Sequence, residues 1–373
     1  MADRPTVGIV GASGFIGSRL VEWLVLRNLA NVRPVVRSFK GMARLARFDL
    51  DCRVADATDG TAMETQLNGC QVLFHCVVGD RDAILKSADA AYRAGKRIGL
   101  QRLVYLSSAV VHGHDPKPGT HDDSELVARQ PFQYNVSKVM AELLLRRLRA
   151  DGAVEVVTLR PSIVFGPRSK WWTAQIATDL LSGKAYLTED GAGICNSVYV
   201  DNLVQAMWQA AISSGVANQD FLITDGERVT WRDLYSVIAE AVGVDIATVS
   251  VIKSDAVVEL TRLARRKELV QKVAANQFAR AARQIVPFRV AEAIKHQWGI
   301  TQLPACNLTS AEHKTQVLRS IDLEIASLQQ CHYVFPIGKA QELLGYTPQV
   351  TFSEGCRRTK EWLRFAFGMS QDW

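Results

Sequence analysis

The sequence predicts an α/β fold in which a doubly wound parallel sheet carries helices on both faces, followed by a smaller, mainly helical C-terminal lobe. Three observations predict it. The chain has 373 residues, short β-branched runs alternate with helix-period stretches over the first 225, and a glycine-rich turn joins the first run to the first helix. That length fits one large α/β unit or two linked lobes, at about 150 residues per domain. Apolar residues make up 48% and charged residues 22%, which excludes disordered, collagen-like and coiled-coil chains.

Thr6 to Val10 is β-branched and ends in glycine, so it reads as a strand. Ser18 to Asn28 places Leu20, Val21, Leu24 and Val25 on one helix face. The alternation continues with a strand at Val32–Val36, a helix at Gly41–Phe48, a short strand at Cys52–Val54, a strand at Val72–Val78, a helix at Ala83–Arg97 and a strand at Leu103–Ser107. A polar loop from Gly113 to Gln130 leads to a helix at Tyr134–Ala150 and strands at Glu155–Leu159 and Asp220–Thr224. Such β and α repeats with short connections call for a parallel sheet covered on both sides. The expected division is a nucleotide-binding domain over residues 1–165, joined by later strands near 196–225. A substrate lobe then takes 166–195 and 226–373.

Charge is modest overall, a net +6, and unevenly spread. Residues 262–295 carry +7 and the remainder −1. Apolar residues interleave through this stretch, so the segment 256–298 reads as basic, amphipathic and helical, interrupted at Pro287. A solvated surface face is the plain interpretation; contact with an anionic membrane surface or an acidic substrate is the sharper one. No nucleic-acid motif accompanies the charge. The N-terminus shows no basic region followed by a long apolar run, so no signal peptide is expected. No stretch of about 20 residues is apolar enough to predict a membrane span. Seven scattered cysteines without a C-x-x-C pair suggest reduced thiols in the cytoplasm, not a disulfide framework or zinc site.

Chemistry concentrates in a few motifs. Gly11-Ala12-Ser13-Gly14-Phe15-Ile16-Gly17 has the spacing G-x-x-G-x-x-G between strand and helix. Glycines there allow a sharp turn and let a pyrophosphate approach amides at the positive helix end. Tyr134 and Lys138, four apart, share one helix face. An adjacent cation favours the phenolate, so the lysine is expected to lower the tyrosine pKa toward working pH. Arg37, with Lys40 and Arg44 close behind, follows the second strand where an acid would favour NAD, and an arginine there suits the 2′-phosphate of NADP. His112, His114 and His121 lack companion ligand spacing, so they read as solvated loop histidines and no metal is expected.

These motifs recur in order with Asp56-Ala57-Thr58-Asp59, Val72-Leu73-Phe74-His75, Tyr105-Leu106-Ser107-Ser108, Tyr134-Asn135-Val136-Ser137-Lys138, Arg160-Pro161-Ser162-Ile163-Val164-Phe165-Gly166-Pro167 and Tyr199-Val200-Asp201-Asn202-Leu203. The ordered set resembles the extended short-chain dehydrogenase/reductase family, also called the NAD-dependent epimerase/dehydratase family, with a Rossmann-type fold. Lys339–Tyr346 and Glu361–Leu363 look like its closing helices, and only Asp245–His332 carries no placed motif.

The resemblance implies a catalytic Ser108, with Ser107 as fallback, a proton-exchanging Tyr134, and Lys138 holding the nicotinamide ribose. It implies a cofactor site of Gly11, Ser13, Gly14, Phe15, Ile16, Gly17, Arg37, Asp56, Ala57, Cys76, Val77, Tyr134, Lys138, Pro161 and Ile163, binding NADP, with NAD as the second choice. There are two departures. Cys76-Val77-Val78 replaces smaller residues, and no asparagine lies between Asn68 and Asn135 to hold the water of the usual proton relay.

The expected reaction is hydride transfer to or from a neutral, lipophilic hydroxy or keto compound. The alternatives are a nucleotide-sugar epimerase or dehydratase and an NADP-binding sensor without turnover. Nucleotide-sugar members commonly carry an arginine where this chain has Cys195 and an asparagine where it has Ser162. Adjacent Trp171 and Trp172 offer flat apolar area to a ring or chain. A homodimer is compatible with the sequence.

Overall fold

The computed structural model describes residues 4–262 and 321–368. Most of the basic segment 256–298 therefore lies outside the described residues; of it only 256–262 are described, as helix.

Seven parallel strands form the central sheet: β1 (Thr6–Val10), β2 (Asn31–Val36), β3 (Arg53–Val54), β4 (Val72–His75), β5 (Arg102–Leu106), β6 (Glu155–Pro161) and, much later, β10 (Asp220–Ile223). Their spatial order is β10-β6-β5-β4-β1-β2-β3. Every residue of β4 and β5 is buried, as expected of strands covered on both faces. Order reverses between β1 and β4, so the two connections leave in opposite directions and open a crevice at the carboxyl ends of these strands.

The covering helices are α1 (Phe15–Leu26), α2 (Gly60–Leu67), α3 (Arg81–Ile98), α4 (Gln133–Leu148) and α6 (Val200–Ile212). Local chemistry sets their ends. Asp59 accepts hydrogen bonds from the Thr61 and Ala62 amides to start α2, and Asp80 does so from Ala83 to start α3. Gly99 stops α3 in the left-handed region at φ 70°. No side chain caps α1, and no acid sits in its first turn. Its amides are thus left for something else.

Four features depart from the sequence expectations. Residues Phe39–Arg44 form a 3₁₀ turn, not an α-helix, with no buried side chain to anchor a longer one. The strand at Val72 ends at His75, because the chain then turns to wall the crevice: a Cβ on Gly11 would lie 2.7 Å from the Cys76 carbonyl oxygen. Helix α2 was not expected, since only Met63 and Leu67 on it are buried. Two small parallel pairs were also not foreseen: β7 (Ile163–Phe165) with β9 (Ser197–Tyr199), and β8 (Tyr186–Thr188) with β11 (Ser250–Ile252).

The second lobe gathers around these pairs. A π-helical turn at Lys170–Gln175 runs into α5 (Ile176–Leu181), and α7 (Trp231–Ala241) begins with a Thr230/Asp233 capping box. After the undescribed residues come α8 (Leu323–Leu328), α9 (Gly338–Leu344) and α10 (Phe352–Ala366). Trp231 is fully buried, packs on Trp172 with ring centroids 5.7 Å apart, and donates to the Leu328 carbonyl. Helix α8 is thereby fixed against the cleft.

Candidate active site

A cavity of about 730 Å³ opens at the reversal point of the sheet. Its floor is the end of β1 and the glycine turn, with Val10, Gly11, Ser13, Gly14, Phe15, Ile16 and Gly17 all on its lining. Gly11 has φ 81°, and a Cβ on Gly17 would lie 2.3 Å from the Gly11 carbonyl oxygen. Only glycine permits this closeness of turn and helix. The uncapped amides of α1 face the cavity with positive partial charge, and a dinucleotide diphosphate fits them.

Every residue expected at the site lines this one cavity: the glycine turn, Arg37, Asp56, Ala57, Cys76, Val77, Ser108, Tyr134, Lys138, Pro161 and Ile163. Lys40 and Arg44 do not; both are exposed outside it. Asp56 uses Oδ1 to accept from the amide and hydroxyl of Thr58, at 2.9 and 2.8 Å, and these bonds hold its carboxyl below the ordinary range. Cys76 is buried enough that its thiol is pushed up to about 12. It is a wall, not a nucleophile.

Ser108 sits at the end of β5 and caps the short 3₁₀ turn Ala109–His112. Its hydroxyl accepts from the Val110 amide at 3.4 Å and shares the cavity with Tyr134, close enough to draw the phenol's pKa downward. Ser107 lines the cavity with its hydroxyl buried and without a hydrogen-bond partner among the described residues. Lys138 is 2% exposed and donates to the Leu106 carbonyl at 2.8 Å, its ammonium lying 5.8 Å from the Tyr134 ring centroid. Burial lowers the lysine to about 8, against the opposing pull of Glu142.

The expected lowering of the tyrosine pKa is not what the structure shows. Burial pushes the phenol up to about 12, with the Glu324 carboxylate adding to the rise and the nearby Ser108 hydroxyl opposing it. Burial is the dominant cause, and the Lys138 ammonium, with one of its three N–H groups on the Leu106 carbonyl, is not among the groups that shift the phenol.

The histidine reading also needs correction. His112 is buried, its Nδ1 3.3 Å from the Glu125 carbonyl and its Nε2 3.3 Å from Arg160. The His114 ring stacks on Phe132 at 4.8 Å. Burial brings both down to about 4, so both are neutral near pH 7; only His121 is exposed. No group of three or more metal-ligating side chains occurs among the described residues.

Ser162, Lys170, Trp171, Trp172, Glu324 and Leu328 also line it. Trp171 is 57% exposed, whereas Trp172 both lines the cavity and packs on the core. Cys195 is fully buried and off the cavity. Glu324 and Leu328 were missed because they fall in Asp245–His332, the stretch without a motif.

A glycine turn at the sheet reversal with a Ser-Tyr-Lys set beside it defines a nicotinamide-dependent enzyme of the extended short-chain dehydrogenase/reductase type. The model of the "NAD dependent epimerase/dehydratase family" matches residues 7–224, and the chain belongs to that family. It is 28% identical over 251 residues to UDP-glucose 4-epimerase from Vibrio cholerae, covering 62% of this chain and 74% of that protein. It is 25% identical over 393 residues to 3beta-hydroxysteroid-dehydrogenase/decarboxylase isoform 1 from Arabidopsis thaliana, covering 94% of this chain and 78% of that protein. In fold it is similar to UDP-glucose 4-epimerase from Thermotoga maritima, solved with UDP-glucose: TM-score 0.67, 19% identity, 97% of this chain and 99% of that one.

Proposed function

We propose that the chain is an NADP-dependent dehydrogenase or reductase that moves hydride between the nicotinamide and a hydroxyl or carbonyl of a neutral, lipophilic small molecule. One observation carries this reading: the substrate side of the cavity presents Trp171, Trp172 and Leu328, and among the described residues the only arginine on the lining is Arg37, at the cofactor end. A diphosphate sugar needs a cationic clamp, most effectively a bidentate arginine. The Arabidopsis relative, whose name specifies a hydroxysteroid dehydrogenase, supports the same direction and matches nearly the full chain.

The chain's residues divide the work. The α1 amides and glycine turn would hold the diphosphate, Arg37 the 2′-phosphate, Asp56 the adenine edge and Lys138 the ribose. Bound there, the nicotinamide supplies or accepts hydride. Ser108 orients the reacting oxygen, and Tyr134 gives or takes its proton. Lys138, a cation under the tyrosine ring, favours the phenolate that must form in passing. The six described cysteines are all free thiols, which suits a reducing cytoplasmic setting. No described helix is long and apolar enough to cross a membrane.

The Vibrio relative favours a second reading, a nucleotide-sugar epimerase or dehydratase. Following NADPH oxidation against ketosteroids, aryl ketones and keto-sugar nucleotides separates the two. Turnover of apolar ketones is the expected result. Activity confined to UDP- or GDP-linked sugars would establish the second reading, and NADPH binding with no turnover of any carbonyl would indicate a sensor.

A further inference from the structure

Among the described residues the cavity lining holds three carboxylates, and two belong to the cofactor end: Asp56 is engaged with Thr58, and Asp80 caps α3. The third, Glu324, is on the first turn of α8 and shares the substrate end with Ser108, Tyr134 and Lys138. Its side chain is 32% exposed, so it reaches both the closed interior and solvent. Its Oε1 lies 3.9 Å from His114 Nε2, too far for a hydrogen bond, and that nitrogen is 2.7 Å from Asn135 Nδ2.

Tyr134 lacks an evident way to recover a proton. Among the described residues no hydrogen bond joins its hydroxyl to an ionisable side chain, and Lys138 donates to the Leu106 carbonyl. The nearest asparagine, Asn135, is turned toward His114 and Gln130.

We propose that Glu324 is the proton-relay residue of this active site, passing the Tyr134 proton to and from solvent. The inference rests on the acid–base role given to Tyr134 above. In the reducing direction the substrate carbonyl carbon receives hydride and the Tyr134 O–H bond breaks, its proton going to the carbonyl oxygen. The phenolate then takes a proton from the Glu324 carboxyl, directly or through water, and Glu324 regains one from solvent. The net change is ketone, reduced nicotinamide and one proton to alcohol and oxidised nicotinamide; oxidation runs the same steps backward. Because it acts through Tyr134, Glu324 is a positioning residue.

The charges around Glu324 agree with a relay. Asp322 adds a negative charge from the N-cap of its own helix, His114 is neutral, and Tyr134, Lys138 and Lys170 line the same cavity. Burial and then Asp322 raise the carboxyl to about 7, where it can both take and give a proton near neutral pH.

Tyrosine labelled at ¹³Cζ in the full chain tests this without any substrate, with the Tyr134 signal assigned by its loss in Tyr134→Phe. Glu324→Gln removes a negative charge, so Tyr134 should titrate about half a pH unit or more lower than in wild type, and Glu324→Asp should restore most of the difference. Superimposable Tyr134 titrations in wild type and a folded Glu324→Gln would overturn the proposal. A ¹³Cδ-glutamate titration of the wild type needs no variant: an inflection for Glu324 near the ordinary value of about 4.3 would also sink it. On any carbonyl that is turned over, Glu324→Gln should cut kcat about tenfold, leave KM within about twofold and remove the pH dependence near neutrality. Failure of every carbonyl substrate would count against the proposed reaction while leaving the two titrations to decide the fate of Glu324.

Discussion

Helix α4 carries two buried ionisable side chains one turn apart, Lys138 and Glu142, and they meet opposite surroundings. Glu142 is 1% exposed and receives Arg160 through both oxygens, at 3.0 and 2.7 Å. Arg160 goes on to the Asp122 carbonyl, to Asp220 at 3.2 Å and to His112, while Asp220 also takes Arg146 and Arg149. Every charge in that cluster has a partner. Lys138 has one neutral carbonyl and two ring faces. The first arrangement locks β6, β10 and α4 together; the second holds a cation ready for a group that arrives. Buried charge with its partners in place is structural, and buried charge with capacity left over, at a cavity wall, is chemical.

The strongest way to break this contrast is to remove the proton carrier. Tyr134→Phe should lower turnover by about 10²–10⁴-fold, the worth of a positioned acid–base group, while fluorescence titration still shows NADPH binding through the glycine turn. A variant within a few-fold of wild type would remove Tyr134 from the chemistry.

Next in size is the difference in stability along α4. Glu142→Gln takes from a buried guanidinium its bidentate carboxylate and leaves it only Asp220 as a charged partner, and loss of one partner of such a pair costs about 3–5 kcal/mol, read by urea unfolding. Lys138→Met should cost no stability at pH 7 while abolishing activity. The sign follows from the lysine's lowered value. The unfolded chain holds a proton up to about pH 10.5, and the folded lysine releases it from about 8. Wild-type stability should therefore rise between those limits, and Lys138→Met should not share that rise. A Lys138→Met protein as unstable as Glu142→Gln would erase the contrast.

Acid sharpens it from another side. His75, which bonds Ser87 at 3.0 Å, is lowered by burial to about 3, and His112 and His114 to about 4. As pH falls below about 6.5 the unfolded chain takes up protons that these folded rings refuse. Stability should drop by about 1 kcal/mol per histidine at pH 5.5 relative to pH 7.5. Replacing His75 with Gln should remove about one third of that slope; an unchanged slope would mean the ring is charged in the fold.

Much of this was legible in the sequence, for identifiable reasons. Strands such as Leu103–Leu106 are apolar on both faces, and Tyr134 and Lys138 sit a helical turn apart beside a glycine turn, so pattern and spacing were enough. Three kinds of feature were not legible. The 113–130 loop reads as polar and solvated, yet Asp122 accepts the Leu222 amide at 2.6 Å and draws the loop inward over His112. The state of the tyrosine depends on how deeply the phenol is buried, which spacing does not set. Glu324 enters from α8, whose placement follows from long-range contacts such as Trp231 with the Leu328 carbonyl and Gln329 with the Thr188 amide.

The smallest effect concerns the cofactor end, where Arg37 extends the comparison. It lines the cavity and makes no ion pair among the described residues, so it is another cation with capacity to spare. It is also exposed, unlike Lys138. A 2′-phosphate beside it would gain a charge-assisted contact, whereas the 2′-hydroxyl of NADH would gain little. Arg37→Asp should weaken NADPH about tenfold, near 1.4 kcal/mol, leave NADH unchanged or tighter, and lose the salt sensitivity that an exposed ion pair confers. Lys40→Ala and Arg44→Ala, at positions off the cavity, should leave both dissociation constants within about twofold. If wild-type protein binds NADH as tightly as NADPH, the free charge at Arg37 serves some purpose other than choosing the cofactor, and capacity to spare would not by itself mark a binding group.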